Sequence, residues 1–439
     1  MMELVVAPAC SALSGTVRVP SDKSMSHRAV LFAGMANGTS LVRDVLDSAD
    51  VRSTISALHW LGAGVRVVGG GPRGLFLEIT GWGDRGPTEP LGPVDCGNSG
   101  TTARLLMGVL AGWPVRVTLT GDSSLSRRPM RRVADPLRSM GARVDMAGDG
   151  TLPVTVHGAR LSPVAYASPV ASAQVKTAIL LAGLRADGTT TVTEPAPSRD
   201  HTERMLPAFG VPVSREGSLR AAVAGPVALT AAEITVPADP SSAAFLAVAA
   251  TLLENSRLVL PDVAVNPTRT GFLGVLERMG AEIVVRPGEP MGTEPIATLE
   301  VRSARSLRAT RVPAEEVPSL IDEVPILALA AARAQGMTRF EGVGELRVKE
   351  SDRLEAVRSG LEALGVPVRA GADWLEVTGT AALQGARLSS LGDHRLAMTW
   401  AVAGLLAAGK TVVDAFEAVD VSYPTFRDDV EALLGRRLT

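Results

Sequence analysis

Residues 58–68, LHWLGAGVRVV, read as the end of a helix, a glycine and a short Val-rich strand. The reading decides the fold because it recurs: LRSMGARVDM at 137–146, LPAFGVPVSR at 206–215, LERMGAEIVV at 276–285, LEALGVPVRA at 361–370 and, in shortened form, VEALLGRRL at 430–438. The glycines are Gly62, Gly141, Gly210, Gly280, Gly365 and Gly435. Each suits a left-handed C-cap that stops a helix before a strand. A spacing of roughly 70 to 85 residues is too long for a solenoid repeat and fits an α/β unit with two helices.

A second element interleaves with the first, beginning near Ser21, Cys96, Ala171, Asp239, Ile321 and Gly392. Each copy runs from a polar cluster into a helix of Ala, Leu and Val, then a turn and a β-branched run. Helices apolar nearly all round belong in a core. Six units in 439 residues, 46% of them hydrophobic, predict an α/β protein of two domains with three units each. The expected division is 21–236 for one lobe and 1–20 with 237–439 for the other, the N-terminal strand closing the C-terminal set of units. Linkers near Pro20 and Pro237 are the expected hinges.

A net charge of -2 gives no basic field for nucleic acid. Two cysteines, Cys10 and Cys96, argue against a disulfide framework and for a reducing, cytoplasmic setting. The opening MMELVVAPACSALSG lacks the basic and apolar regions of a signal peptide, and the longest apolar stretch, 243–253, is too short to cross a bilayer. Of 44 basic residues only Lys23, Lys176, Lys349 and Lys410 are lysine, a bias that usually reflects genome composition and that singles out each retained lysine, because a compact ammonium does things a guanidinium cannot.

The chemically capable residues gather where the apolar helices open: Lys23-Ser24 with Arg28, Asn98-Ser99-Gly100-Thr101 with Arg104, Ser172-Ala173-Gln174 with Lys176, Ser241-Ser242, Asp322-Glu323, and Asp393-His394-Arg395. A helix N-terminus offers unpaired N–H groups and the positive end of the dipole, which suits phosphate and carboxylate. One such cluster is an ordinary cap; six argue for anion binding. Arg127, Arg128, Arg131 and Arg132 crowd a turn at Pro129, where a solvated basic face is the competing reading. In GELRVKESDRLEAVRSGLEALG a strand is expected to deliver Lys349-Glu350 into a helix with Leu354, Val357, Leu361 and Leu364 inward, and Glu350 one turn from Arg353. His27, His59, His157 and His201 have no metal-ligand spacing, so no metal is assigned.

SDKSMSHRA, GNSGTTARLLMG, SRRPM, SAQVK, RVKESDRL and DHRLAM resemble, in order, the motifs of the 5-enolpyruvylshikimate-3-phosphate synthase family of enolpyruvyl transferases, from about Gly15 to Phe426. The resemblance implies two domains, each of three βαββαβ units in an inside-out α/β barrel, closing on a cleft at their helix N-termini. It implies transfer of the enolpyruvyl group of phosphoenolpyruvate to the 5-hydroxyl of shikimate 3-phosphate by a monomer, without cofactor, metal, membrane or nucleic acid. Lys23, Ser24, Arg28, Ser172, Ala173, Gln174, Ser198, Asp322 and Lys349 would hold shikimate 3-phosphate. Lys23, Asn98, Gly100, Arg128, Gln174, Arg353 and Arg395 would hold phosphoenolpyruvate. Asp322 would accept a proton, Glu350 would donate one, and Lys23 would reach both substrates. Glyphosate would occupy the phosphoenolpyruvate site.

Two positions depart from the family pattern. Pro424 stands where many members carry a phosphoenolpyruvate-binding lysine, leaving Arg427 or an altered anion site to compensate, or the contact absent. Glu345 replaces an asparagine. The sister transferase acting on UDP-N-acetylglucosamine relies on a loop cysteine that GDSSLSRRPM lacks. A repeat-built binding protein does not need catalytic clusters, and an RNA-end-processing relative calls for a basic surface.

Overall fold

The computed structural model describes residues 2–71 and 74–438. They form two compact units. The first is Ser21–Val236 with Met291–Glu294; the second is Met1–Pro20, Pro237–Pro290 and Pro295–Thr439. Residues 291–294 join the first unit because Glu294 meets His201 Nδ1 at 2.7 Å and Thr293 donates to the Arg204 carbonyl at 2.7 Å. No pattern in MGTE announces this.

Three helices fill the centre of each unit: α1 (Lys23–Met35), α2 (Gly100–Ala111) and α3 (Ala173–Gly183) in the first, α4 (Pro240–Leu252), α5 (Val324–Ala332) and α6 (His394–Leu406) in the second. From Met25 to Met35 every residue of α1 is buried, and α5 is buried throughout. Each unit has its own apolar core around its three helices. Phe32 of α1 meets Phe209 edge-on, ring centroids 5.8 Å apart, a contact whose loss to alanine costs about 3–5 kcal/mol. Small residues let the helices approach: a Cβ on Gly108 of α2 would lie 2.2 Å from the Ala178 carbonyl of α3.

Sheets wrap these helices. In the repeat containing α2, Val94–Asp95 pairs in parallel with Arg116–Thr120, which pairs antiparallel with Thr151–His157, and that with Arg143–Ala147. The other two sheets of the first unit and two of the second keep the same order. Within a unit the elements run βαβαββ, not the expected βαββαβ. The two parallel strands need a crossover helix between them, while the last two close as an antiparallel hairpin. Distant strands complete the rings: Glu233–Thr235 lies parallel to Leu41–Arg43, Ser14–Thr16 parallel to Arg257–Val259, and Leu4–Val6 antiparallel to Thr411–Val413.

All six repeat glycines have positive φ, from 65° at Gly435 to 110° at Gly141, as a left-handed cap requires. One local expectation fails. Lys349-Glu350 leave a 3-10 turn, Gly344–Val348, and not a strand. The strand ends at Glu341, and Arg347 pins the turn by donating to the Gly371 and Ala372 carbonyls. The following helix, Arg353–Ala363, does bury Leu354, Val357 and Leu361, with Leu364 at its C-cap.

Candidate active site

In the first unit the capping residues turn three helix N-termini toward polar side chains. Asp22 caps α1 by accepting from Met25 N, Ser99 caps α2 by accepting from Thr102 N, and Ser172 caps α3 by accepting from Val175 N. None of the three helices has an acid in its first turn, but the Asp22 carboxylate caps α1 and Glu194 accepts from Ser172 N at the start of α3, so only α2 begins with no carboxylate in these contacts.

Lys23 pairs with Asp50 at 3.1 Å. Arg28, 2% exposed, donates to Thr202 (2.8 Å), Thr177 (3.0 Å) and the Ser24 carbonyl (3.0 Å). Ser24 in turn accepts from Arg199 at 3.2 Å. Around α2, Arg128 donates to the Asn98 side chain and to Ser124. Arg104 donates to Gln174 Oε1 at 2.7 Å and to the Pro129 carbonyl at 3.1 Å, and Gln174 donates to Thr101 at 2.9 Å. A Cβ on Gly100 would stand 2.9 Å from Arg104 Nη1 and 3.4 Å from Arg128 Nη1, so the glycine keeps a gap between two guanidinium groups. Of the arginine cluster Arg128 alone is buried; Arg127 and Arg131 are exposed, as a solvated face would be. Ser198 donates to Glu194 at 2.8 Å.

His27 lies under this surface, its Nδ1 2.7 Å from Thr54 Oγ1, which continues to Thr102 at 2.6 Å. Burial, then Lys23 and Arg28, push its pKa well below the usual histidine range, so it serves as a neutral strut.

In the second unit the residues converge on Arg353, 1% exposed. It donates to Asp322 at 3.0 Å, to Asp393 at 2.7 Å and to Glu350 at 2.5 Å. Burial alone would depress this guanidinium's pKa; Asp393, Glu350 and Asp322 outweigh it and hold the group above its ordinary range. Lys349 stands 3.5 Å from Asp322 and Arg395 3.6 Å. Asp322 thus has three cations around one carboxylate. Arg395 also donates to Glu323 at 3.4 Å; Glu323 accepts from Ser241, which accepts from Arg269 at 2.9 Å. Arg427 is engaged elsewhere, with Glu431 at 2.8 Å and the Leu438 carbonyl at 2.6 Å.

These sets draw on segments up to 175 residues apart, and they have the composition that phosphate and carboxylate recognition calls for. The chain matches the EPSP synthase (3-phosphoshikimate 1-carboxyvinyltransferase) family over residues 8–430. It belongs to that family. The 3-phosphoshikimate 1-carboxyvinyltransferase of Bacillus anthracis is 46% identical over 434 residues, 99% of this chain and 100% of the relative, and that of Bacillus cereus strain ATCC 10987 is equally similar. EPSP synthase from Acinetobacter baumannii superposes with a TM-score of 0.87 at 40% identity, covering 100% of this chain and 99% of its own. The enolpyruvyl transferase NikO from Streptomyces tendae, 20% identical with a TM-score of 0.77 over 98% of this chain and 97% of its own, shares the fold.

Sequence reasoning missed Asp50, Glu194, Arg199 and Arg269, and it left Arg104 without a role. Arg199 had one signal, its place beside Ser198. The others sit outside the helix-opening clusters and are recruited by packing. Among the described residues no group of His, Cys, Asp and Glu could hold a metal ion, and no helix is long and apolar enough to cross a membrane.

Proposed function

We propose that the protein catalyses the reaction that names its family, transfer of the 1-carboxyvinyl group of phosphoenolpyruvate to the 5-hydroxyl of shikimate 3-phosphate with release of phosphate. The observation that carries this reading is the convergence of Asp322, Glu350 and Asp393 on the buried guanidinium of Arg353, with Lys349 and Arg395 beside Asp322.

Shikimate 3-phosphate is held by Lys23, Ser24, Arg28, Ser172, Ala173, Gln174 and Ser198, together with Asp322 and Lys349. Phosphoenolpyruvate is held by Lys23, Asn98, Arg128, Gln174, Arg353 and Arg395, with Gly100 leaving room for it. Planar guanidinium groups suit its carboxylate and phosphate. Addition–elimination needs two proton movements. Asp322 takes the 5-hydroxyl proton as that oxygen attacks C2 of phosphoenolpyruvate, and Glu350 protonates the methylene carbon. Reversal of these roles expels phosphate from the tetrahedral intermediate and leaves the enol ether. Lys23 offsets negative charge on both substrates. The enzyme acts as a cytoplasmic monomer; its unpaired Cys10 and Cys96 suit a reducing compartment.

Phosphate release tests the reading. Release should require both substrates, and UDP-N-acetylglucosamine should not replace shikimate 3-phosphate. Absence of release with the pair would overturn it.

A further inference from the structure

One lysine of the sequence, Lys176, has no place in the reaction just described. It lies in the first turn of α3 and its side chain is 3% exposed. Its ammonium sits 2.8 Å from Glu194 and 2.7 Å from Glu203, whose side chains are 1% and 3% exposed. Burial by itself would lower the ammonium's pKa, but Glu203 and Glu194 outweigh it and hold the group charged. Such a buried ion cluster is costly to build and contributes little to stability over an apolar substitute, which prompts the question of what it organises.

Glu194 answers it. One carboxylate oxygen accepts the backbone N–H of Ser172 at 2.8 Å, and the other accepts the Ser198 hydroxyl at 2.8 Å. Ser172 is the N-cap of α3, and its own hydroxyl accepts from Val175 N, leaving its hydrogen to donate elsewhere. Glu203 is carried on the short helix His201–Met205 beside Thr202, which meets Thr177 of α3 at 2.6 Å; Arg28 donates to both threonines. The ammonium therefore ties α3 to the segment 194–203 at the place where Ser172, Ser198 and Arg28 are set.

We propose that Glu194 is a positioning residue for the phosphate of shikimate 3-phosphate, holding Ser172 and Ser198 at fixed spacing, with the Lys176 ammonium holding Glu194 in place. The inference rests on the proposed function. It assigns Lys176 a structural charge and no substrate contact.

Glu194 and Glu203 belong to one ion cluster, but only Glu194 touches the serines, and this contrast makes the test. Glu194→Gln leaves one acceptor oxygen for three donors, and loss of hydrogen bonds to a charged group should raise KM for shikimate 3-phosphate about 10- to 100-fold while KM for phosphoenolpyruvate and kcat change little. Glu203→Gln should lower the melting temperature yet leave KM for shikimate 3-phosphate unchanged. Titration calorimetry with shikimate 3-phosphate alone should reproduce the split. Should a single change prevent folding, the neutral variant Lys176→Met/Glu194→Gln/Glu203→Gln keeps the volume without buried charge, and it should show the same selective rise. An unchanged KM for shikimate 3-phosphate in Glu194→Gln or the triple variant, or an equal rise in Glu203→Gln, overturns the proposal. Wild-type enzyme that releases no phosphate from the two substrates overturns the proposed function instead.

Discussion

Gly100→Ala adds one methyl group to the first turn of α2. Its Cβ would stand 2.9 Å from Arg104 Nη1, against 3.4 Å for the near edge of ordinary contact, so the guanidinium must retreat by 3.4 − 2.9 = 0.5 Å. Arg104 is not at liberty to swing away, being bonded to Gln174 at 2.7 Å and to the Pro129 carbonyl at 3.1 Å. A half-ångström shift leaves the Gln174 bond near the long end of the normal range, weakened but present. Helix propensity favours alanine over glycine by up to about 1 kcal/mol, so the melting temperature should hardly fall. The effect should appear in the site. Misplacement by 1 Å costs about 10²-fold, so half that distance predicts about a tenfold loss in kcat/KM for phosphoenolpyruvate. On the proposed reading glyphosate, longer than phosphoenolpyruvate, would occupy the same site and have more need of the empty space beside Arg128. Its Ki should rise by at least about another tenfold on the same scale. One steady-state phosphate-release series on both proteins gives the ratio. Equal weakening of inhibitor and substrate, or a collapse in melting temperature, would refute the reasoning.

Other perturbations follow from the same geometry. Asp322→Asn and Glu350→Gln should each cut kcat by about 10²–10⁴. Substrate affinity should be largely spared, since Arg353 keeps Asp393 in both variants; near-normal kcat in both would remove the acid–base assignment. Lys23→Arg should lower kcat/KM about 10²-fold, because a planar fork cannot reproduce a point charge held 3.1 Å from Asp50; retention of most activity would end Lys23's double role. His27, among Lys23, Arg28 and Asp22, should make the fold acid-sensitive. The unfolded chain binds a proton there near pH 6.5 more readily than the native chain does, so stability falls as pH drops through that value, between pH 7 and pH 5. Denaturant titrations at the two pH values should show that loss shrinking in His27→Asn.

The sequence alone carried the architecture. Six glycine-ended helices and six apolar helices with polar openings are local patterns, readable because a helix terminates where backbone geometry demands and an apolar face must be buried somewhere. The Glu350–Arg353 pair was legible from its three-residue spacing, although Glu350 lies before the helix that begins at Arg353. The ordered motifs added the candidate site, residue by residue. Packing decided the rest. Arg353 meets Asp393 across 40 residues, and Arg28 meets Thr177 across 149. Gly344–Val348 alternates like a strand, yet the Gly371 and Ala372 carbonyls draw Arg347 into a 3-10 turn. Glu194 and Glu203 are ordinary acids in sequence. They acquire a role because strand Gly188–Thr193 and helix His201–Met205 bring their carboxylates to one buried ammonium, and local spacing carries no record of where a sheet will place its neighbours.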